Sequence, residues 1–433
     1  MCNQAWLRAR LTTLRSIGLN GEGGSEAPLS SKNLLYKKPG LERHGVTDAS
    51  FDHFMRSNQG LPQPAYEELV RYLWENNWCT DRFMKIGFAK EPQALFHALV
   101  VFLDLDTQRL TAMAQELPGV TAEATGDPDL LIMGHRTACT SYYYRGDFNR
   151  SREHGDRVLA LYIHEQHRHL ADITNTDPKT VAGIFVSAGT WMLGYPDRAV
   201  QVSEANEAHA RRRGHPFDLG FALTTGARVW DLRCEPEPLL ARVEEAERLG
   251  RAHSLPFISD VLAQLMKGLA WVRAGRLAEG IPHLRGAMEK WNANGALIWM
   301  PYFRAVLAEG LALSADLEGG LSLIEESLAQ IARPGWEERW PLAEVLRLKG
   351  WMLQQQGQLA AAEENYLASL DVAREQQAKS WELRTSSSLA RLWQSQGKRK
   401  EALELLKPVY DWFTEGFDTK DLKEAKALLE ELA

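Results

Sequence analysis

Cysteine is scarce in this chain: Cys2, Cys79, Cys139 and Cys234 are the only four in 433 residues, and no two of them share a CxxC spacing. That pattern gives neither a zinc site nor a disulfide framework, and it fits a reducing compartment, so a cytoplasmic protein is expected. Long apolar runs are also missing. Nothing approaches the ~18 apolar residues of a membrane span, and MCNQAWLRARLTTLRS at the N-terminus lacks the apolar core of a signal peptide. Excess positive charge is absent as well: 57 acidic residues stand against 50 basic ones, a net charge of −7. A nucleic-acid partner would want a basic face, and a membrane partner an apolar or basic one, so neither is expected. The single dense basic cluster, Arg211, Arg212 and Arg213, stands before Gly214, where cations complement a helix end and glycine caps it. No stretch alternates β-branched and polar residues as a strand would.

What the chain has instead is a repeat. Turn marks fall at Gly146, Gly194, Cys234, Gly275, Asp316, Gly357 and Gly397, at steps close to forty residues. A period in this range signals a solenoid of helix pairs. Each pair cannot bury its apolar stripe alone, so neighbours stack into an elongated superhelix with a long concave wall suited to binding. The spacing within units resembles the tetratricopeptide repeat. Gly350, Leu353, Gly357, Leu359, Ala362 and Tyr366 occupy the small, apolar, turn, apolar, small and aromatic positions of that motif. Gly268, Trp271, Gly275, Leu277, Gly280 and Leu284 repeat the series, and Ala390, Trp393, Gly397, Ala402 and Leu406 follow it with Arg399 as a departure. The expected fold is all-α, a right-handed solenoid of such hairpins. Residues 1–45, rich in Gly and Ser, read as poorly ordered. Residues 46–90 read as short helices, 91–417 as repeats with a first hairpin from Pro92, and 418–433 as a capping helix.

Several longer strings carry a more particular likeness. DPDLLIMGHRTACTSYYYRGDF, LGYPDRAV, HPFDLGFAL, EVLRLKGWMLQQQG and the segment from Ala378 onward resemble the C-terminal repeat region of bacterial proteins that fuse a class III adenylate/guanylate cyclase to an AAA-type ATPase. The likeness spans about residues 91–433, is strongest after Glu338, and is most specific in the tail, through Tyr410, Trp412, Phe413, Gly416, Phe417 and Asp421. It implies a regulatory role, with a cyclase or ATPase component as one candidate partner, because catalysis in those proteins lies upstream of the repeats. The chemistry itself is not carried over. A P-loop needs GxxxxGK[ST] to cradle phosphates, and no such string exists here. The paired metal-binding aspartates of a cyclase need a mixed sheet that this sequence does not offer. A non-enzyme without a cofactor is therefore expected.

Two other signals need weighing. His164, Glu165, His167 and His169 suggest a helical zinc site, but the second histidine of HExxH would fall on Arg168, so a link between repeats is the better reading. Most of the 14 tryptophans fit core positions between hairpins. Counted from each turn, the groove-facing positions of the first helices are Arg136, Tyr143, Trp191, Arg228, Asp231, Arg347, Trp351, Gln354, Arg391 and Gln394. Guanidinium groups beside flat rings suit carboxylates, phosphates or acidic segments. These positions equally suit a solvated groove lining. The functional expectation is a module that recognises a protein or peptide segment. The alternative is an effector-binding regulatory subunit of a cyclase or ATPase system. For the terminal helix, Thr419 or Asp418 should accept the free N–H groups, and Tyr410, Trp412, Phe413 and Phe417 should face its apolar stripe.

Overall fold

The computed structural model describes residues 43, 45–47, 128–171, 176–293, 297–333 and 336–433. The chain divides into two compact units, Met1–Leu103 and Asp104–Ala433, and every helix below belongs to the second. From the first unit only Arg43, Gly45, Val46 and Thr47 are described, with Val46 buried. The readings of residues 1–45 and 46–90 otherwise lie outside the described residues, as do the hairpin from Pro92, Cys2 and Cys79.

Helices pair in sequence order. Helices α1 (Pro128–Arg145) and α2 (Phe148–Leu161) form the first described hairpin, and a short α3 (His164–His167) follows. The next pairs are α4 (Pro178–Met192) with α5 (Pro196–Arg213), and α6 (Pro216–Thr224) plus α7 (Arg228–Leu232) with α8 (Pro236–Ala252). A π-helical turn, Phe257–Leu262, runs into α9 (Ala263–Arg273), which pairs with α10 (Leu277–Ala293). Then come α11 (Met300–Leu313) with α12 (Leu317–Ile331), α13 (Leu342–Gln355) with α14 (Leu359–Glu375), α15 (Lys379–Ser395) with α16 (Arg399–Asp411), and the single α17 (Lys420–Leu432). The described residues hold no strand. The all-α tetratricopeptide-like fold expected from the spacing is the fold observed.

Local chemistry accounts for these boundaries. The turn inside each hairpin needs one left-handed residue, which glycine supplies without a Cβ clash at Gly146, Gly194, Gly275, Gly357 and Gly397. In the hairpin of α11 and α12 that residue is Ala315 (φ 67°), one position before the Asp316 expected from the sequence. Asp316 instead caps α12, its Oδ1 accepting from Gly319 N at 2.9 Å. Proline opens α4, α5, α6 and α8, where its missing N–H costs nothing. Gly214, left-handed, ends α5 behind its three arginines. The small positions of the motif have the expected cause: a Cβ on Gly350 would lie 2.8 Å from the Tyr366 ring, and one on Gly268 2.7 Å from the Leu284 backbone.

Early and late hairpins touch, which the picture of an open wall did not foresee. Trp191, Trp340, Trp381, Tyr143 and Tyr302 are all fully buried in one cluster that spans Cys139 to Trp381. The last carbonyls of three successive first helices are bonded by distant residues. Tyr144 O accepts from Arg339 N at 2.7 Å and Trp340 N at 3.1 Å. Trp191 O accepts from the Ser380 hydroxyl at 2.5 Å, and Leu232 O from the Arg384 guanidinium. Tyr144 O and Leu232 O would otherwise need water, while Trp191 O also accepts from Gly194 N. A fourth tie joins Glu415, whose carboxylate accepts from Asp197 N and Arg198 N, to the start of α5.

Two sequence readings change. The first helix of the hairpin that turns at Cys234, continuous by its spacing, is broken at Thr225–Ala227, where Gly226 N reaches back to Phe221 O; a Cβ at Gly226 would lie 2.4 Å from Ala222 O. At the C-terminus, Leu422, Ala425, Leu428 and Leu432 do pack on Leu383, Leu406 and Phe413. Trp412, however, packs on Gly194 and Tyr195, and Phe417 is half exposed beside Tyr410, because Gly416 turns the chain tightly against Pro196. Thr419 makes no side-chain cap; its hydroxyl donates back to Gly416 O.

Candidate functional site

Where the late hairpins curve toward the early ones, they leave a polar cavity of about 330 Å³. Two helices supply facing stripes. On α13, Arg347, Trp351, Gln354 and Gln355 follow the i, i+4, i+7, i+8 spacing that places side chains on one helix face. On α15, Arg384, Ser387, Ser388 and Arg391 follow i, i+3, i+4, i+7. Helix α17 closes one side with Lys420, Asp421 and Glu424, and Cys234, Arg273, Glu309, Glu344 and Tyr366 complete the lining.

Buried ion pairs form the deep wall. Arg347 donates two bonds to Glu344, from Nε at 2.7 Å and Nη2 at 2.8 Å, the bidentate arrangement planar guanidinium favours. Arg384 Nε donates to Asp421 at 2.9 Å while its Nη1 lies 3.7 Å from Glu344. Arg273 Nε donates to Asp231 at 2.9 Å, and its Nη1 bonds Glu309. Burial alone would push the Glu344 carboxyl up, but Arg347, with Arg384, outweighs it and holds it below the usual range. Burial works against the charge of Arg384, yet Asp421 and its other neighbours raise it well above the ordinary value. The mouth is looser: Arg391 and Glu424 meet at 3.3 Å with side chains 45% exposed, and Lys420 lies 3.9 Å from Glu424. Between wall and mouth, the Ser387 hydroxyl is buried without a hydrogen-bond partner, and Tyr366 OH donates to Gln354 Oε1 at 2.9 Å.

The groove positions read from the sequence separate into two sets. Arg347, Trp351, Gln354 and Arg391 converge on the cavity. Gln394, one turn further along α15, bonds Glu431 at 3.3 Å and is not part of the lining. The earlier residues do not face an open wall: Tyr143, Trp191 and Arg228 are covered by residues of later hairpins, and Arg136 by its own and the next repeat. Arg136 is buried and donates to Thr176 at 3.1 Å. Tyr143 is enclosed by Phe148, Phe185 and Trp340, and Trp191 lies 4.9 Å from Trp381, centroid to centroid. Arg228 has no hydrogen-bond partner for its guanidinium; it sits 4.3 Å from the Trp299 ring and about as near to Trp340 and Tyr143, a desolvated cation held by ring faces. Asp231 is buried between Arg273 and Tyr302 OH.

Sequence reasoning missed Arg384, Glu344, Ser387 and Glu309. The first three were within reach, since Arg384 and Ser387 stand seven and four residues before Arg391, and Glu344 three before Arg347. Glu309 had no local signal. Of the histidines, His167 is buried and its Nδ1 accepts from Ile163 N at 2.9 Å, and His169 Nε2 lies 2.8 Å from Asp129. Among the described residues no cluster of His, Cys, Asp or Glu forms a metal site. None of the described helices is long and apolar enough to cross a membrane.

No protein family matches the sequence, and no curated protein does. Solved structures do. One is the Cut9–Hcn1 hetero-tetramer of the APC/C, with a TM-score of 0.51, 11% identity and 91% of this chain covered. This chain spans 64% of that neighbour's length. Another is a Rap protein complexed with competence and sporulation factor, with a TM-score of 0.50, 10% identity, and 86% of this chain and 93% of that one covered. At such identity these likenesses establish the tetratricopeptide-like fold.

Proposed function

We propose that this chain is a non-catalytic binding module of a bacterial signalling system, and that it recognises a protein or peptide segment at the cavity between α13, α15 and α17. One observation carries the reading. Side chains from five separate hairpins and the terminal helix converge on one half-open polar space, which a stack of hairpins needs for no packing purpose. Its volume is within the range of ligand pockets, and its charged lining suits a polar or charged ligand. The neighbouring Rap structure, complexed with competence and sporulation factor, lends support, since a comparable array there holds a ligand. The resemblance of the sequence to the repeat region of cyclase–ATPase fusions supports a regulatory context. A second reading keeps that context and makes the ligand a small effector, and the modest volume and the charged wall of the cavity favour it.

The test is co-purification from the native host with the wild type and with Trp351→Ala and Arg391→Ala. Both side chains line the cavity; Trp351 also packs against neighbouring apolar clusters, so the variants are compared well below the melting temperature of each and Arg391→Ala serves as the variant without a packing role. Loss of one specific partner from both variants, with Arg391→Ala at unchanged thermal stability, is expected. Retention of every partner by both would overturn the assignment of the site.

A further inference from the structure

The cavity has charge polarity along its depth. In the deep wall, the guanidinium groups of Arg273, Arg347 and Arg384 meet a larger number of carboxylates: Glu309, Glu344 and Asp421, with Asp231 directly behind Arg273. Glu309 and Asp421 each take a single guanidinium bond, and Glu309 is the one of the two that does not stand on α17 beside Lys420 and Glu424. It bonds Arg273 through one oxygen, Oε2, and Arg273 is shared with Asp231, whereas Glu344 takes two bonds from Arg347. At the mouth the balance reverses, because Arg391 and Lys420 share Glu424 alone. The Glu309 side chain is only 22% exposed, so excess negative charge there is incompletely screened by water and favours an occupant of opposite sign.

Resting on the reading of the cavity as the recognition site, we propose that it binds a zwitterion of the amino-acid or short-peptide kind, its ammonium group directed to Glu309 and its carboxylate held at the mouth by Arg391 and Lys420. The Trp351 ring covers the carbon skeleton between the two ends. The unpartnered, buried hydroxyl of Ser387, midway along the α15 stripe, supplies a hydrogen bond to a backbone amide or carboxylate oxygen. Matching both ends at once sets the polarity of the bound molecule, since a reversed ligand would bring like charges together at each end.

Isothermal titration of the full chain tests this with trialanine, N-acetyl-trialanine, trialanine amide and L-alanine as probes. Unblocked trialanine or L-alanine should bind, whichever length fits, and either block should weaken binding at least about tenfold by removing a charge-assisted contact. Glu309→Gln should reproduce the N-acetyl loss, and Arg391→Gln with Lys420→Gln the amide loss. Should Glu309→Gln fail to fold, the blocked probes on the wild-type chain decide alone. Equal binding of the blocked and unblocked forms overturns the zwitterion but leaves segment recognition standing. No binding of any unblocked probe up to about 10 mM, where even very weak sites register, overturns it as well. Partner retention by both Trp351→Ala and Arg391→Ala sinks the site assignment itself, independently of these titrations.

Discussion

Replacing Trp340 by alanine tests the contact between early and late hairpins directly. Trp340 is fully buried, with its ring near Tyr143 of α1, Tyr302 of α11 and the Arg228 guanidinium, and its Nε1 donates to Glu338 Oε1 at 3.0 Å. Truncating a buried tryptophan costs about 3–5 kcal/mol, and losing a desolvated cation–π contact adds on the order of 1 kcal/mol. For a unit of this size that lowers Tm by roughly 6–20 °C. Position distinguishes this from any ordinary core deletion. In a stack where each repeat touches only its neighbours, damage spreads locally. Here, Tyr143 lies nearly two hundred residues from Trp340, so amide exchange should rise across Pro128–Arg145 as well as across α13. Hydrogen exchange read by mass spectrometry resolves the two regions. Unchanged protection across Pro128–Arg145, with α13 loosened, would refute the reasoning that the array closes on itself.

Three further outcomes are expected. Burial pushes the Glu338 carboxyl up to about 7, so the folded state holds a proton that the unfolded state has released; stability should fall as pH rises from about 4.5 to 7. Glu338→Gln should flatten that part of a Tm-against-pH curve, and an unaltered slope would remove Glu338 as its cause. Ala315→Gly should raise stability by up to about 1 kcal/mol in chemical denaturation, because Ala315 holds a left-handed φ of 67° that glycine adopts freely; a loss would mean the methyl group packs favourably. Gly350→Val should lower Tm through about 1–3 kcal/mol of overpacking, since its side chain would meet the Tyr366 ring; a neutral result would show that ring to be free to move.

The repeats were legible because they rest on local rules. A left-handed turn residue, a small residue facing a large one and a helix-opening proline each leave a mark within a few positions. The cavity was half legible for the same reason: Arg347, Trp351, Gln354 and Arg391 follow from helical spacing counted from Gly357 and Gly397. Burial of Tyr143 and Arg228 did not follow, because it depends on whether hairpins far apart in the chain approach. That approach is set by small rotations between successive repeats, accumulated along the array. Arg228 shows the difficulty well. An arginine at an inner helix position usually reaches solvent, yet here Trp299 and Trp340 arrive from later hairpins and enclose it. The break at Gly226 was similarly hidden, since a glycine inside an apolar run reads as a tolerated helix residue.

The cavity and the closure of the array depend on the same side chains. Arg384 lines the cavity, bonds Asp421 of the terminal helix and also donates to Leu232 O at the end of α7. Arg273 lines the cavity and bonds Asp231 of that same helix. An occupant of the cavity therefore meets its full set of partners only when the early and late hairpins are together. A ligand that binds the closed form alone stabilises it by about 2.7 kcal/mol at a hundred times its Kd. Linkage makes the effect reciprocal: a change that populates an open form lowers apparent affinity by the fraction of molecules left closed. Trp340 meets the lining only through Tyr302, whose hydroxyl accepts from Arg273, so Trp340→Ala should weaken binding at the cavity without removing any contact to the ligand.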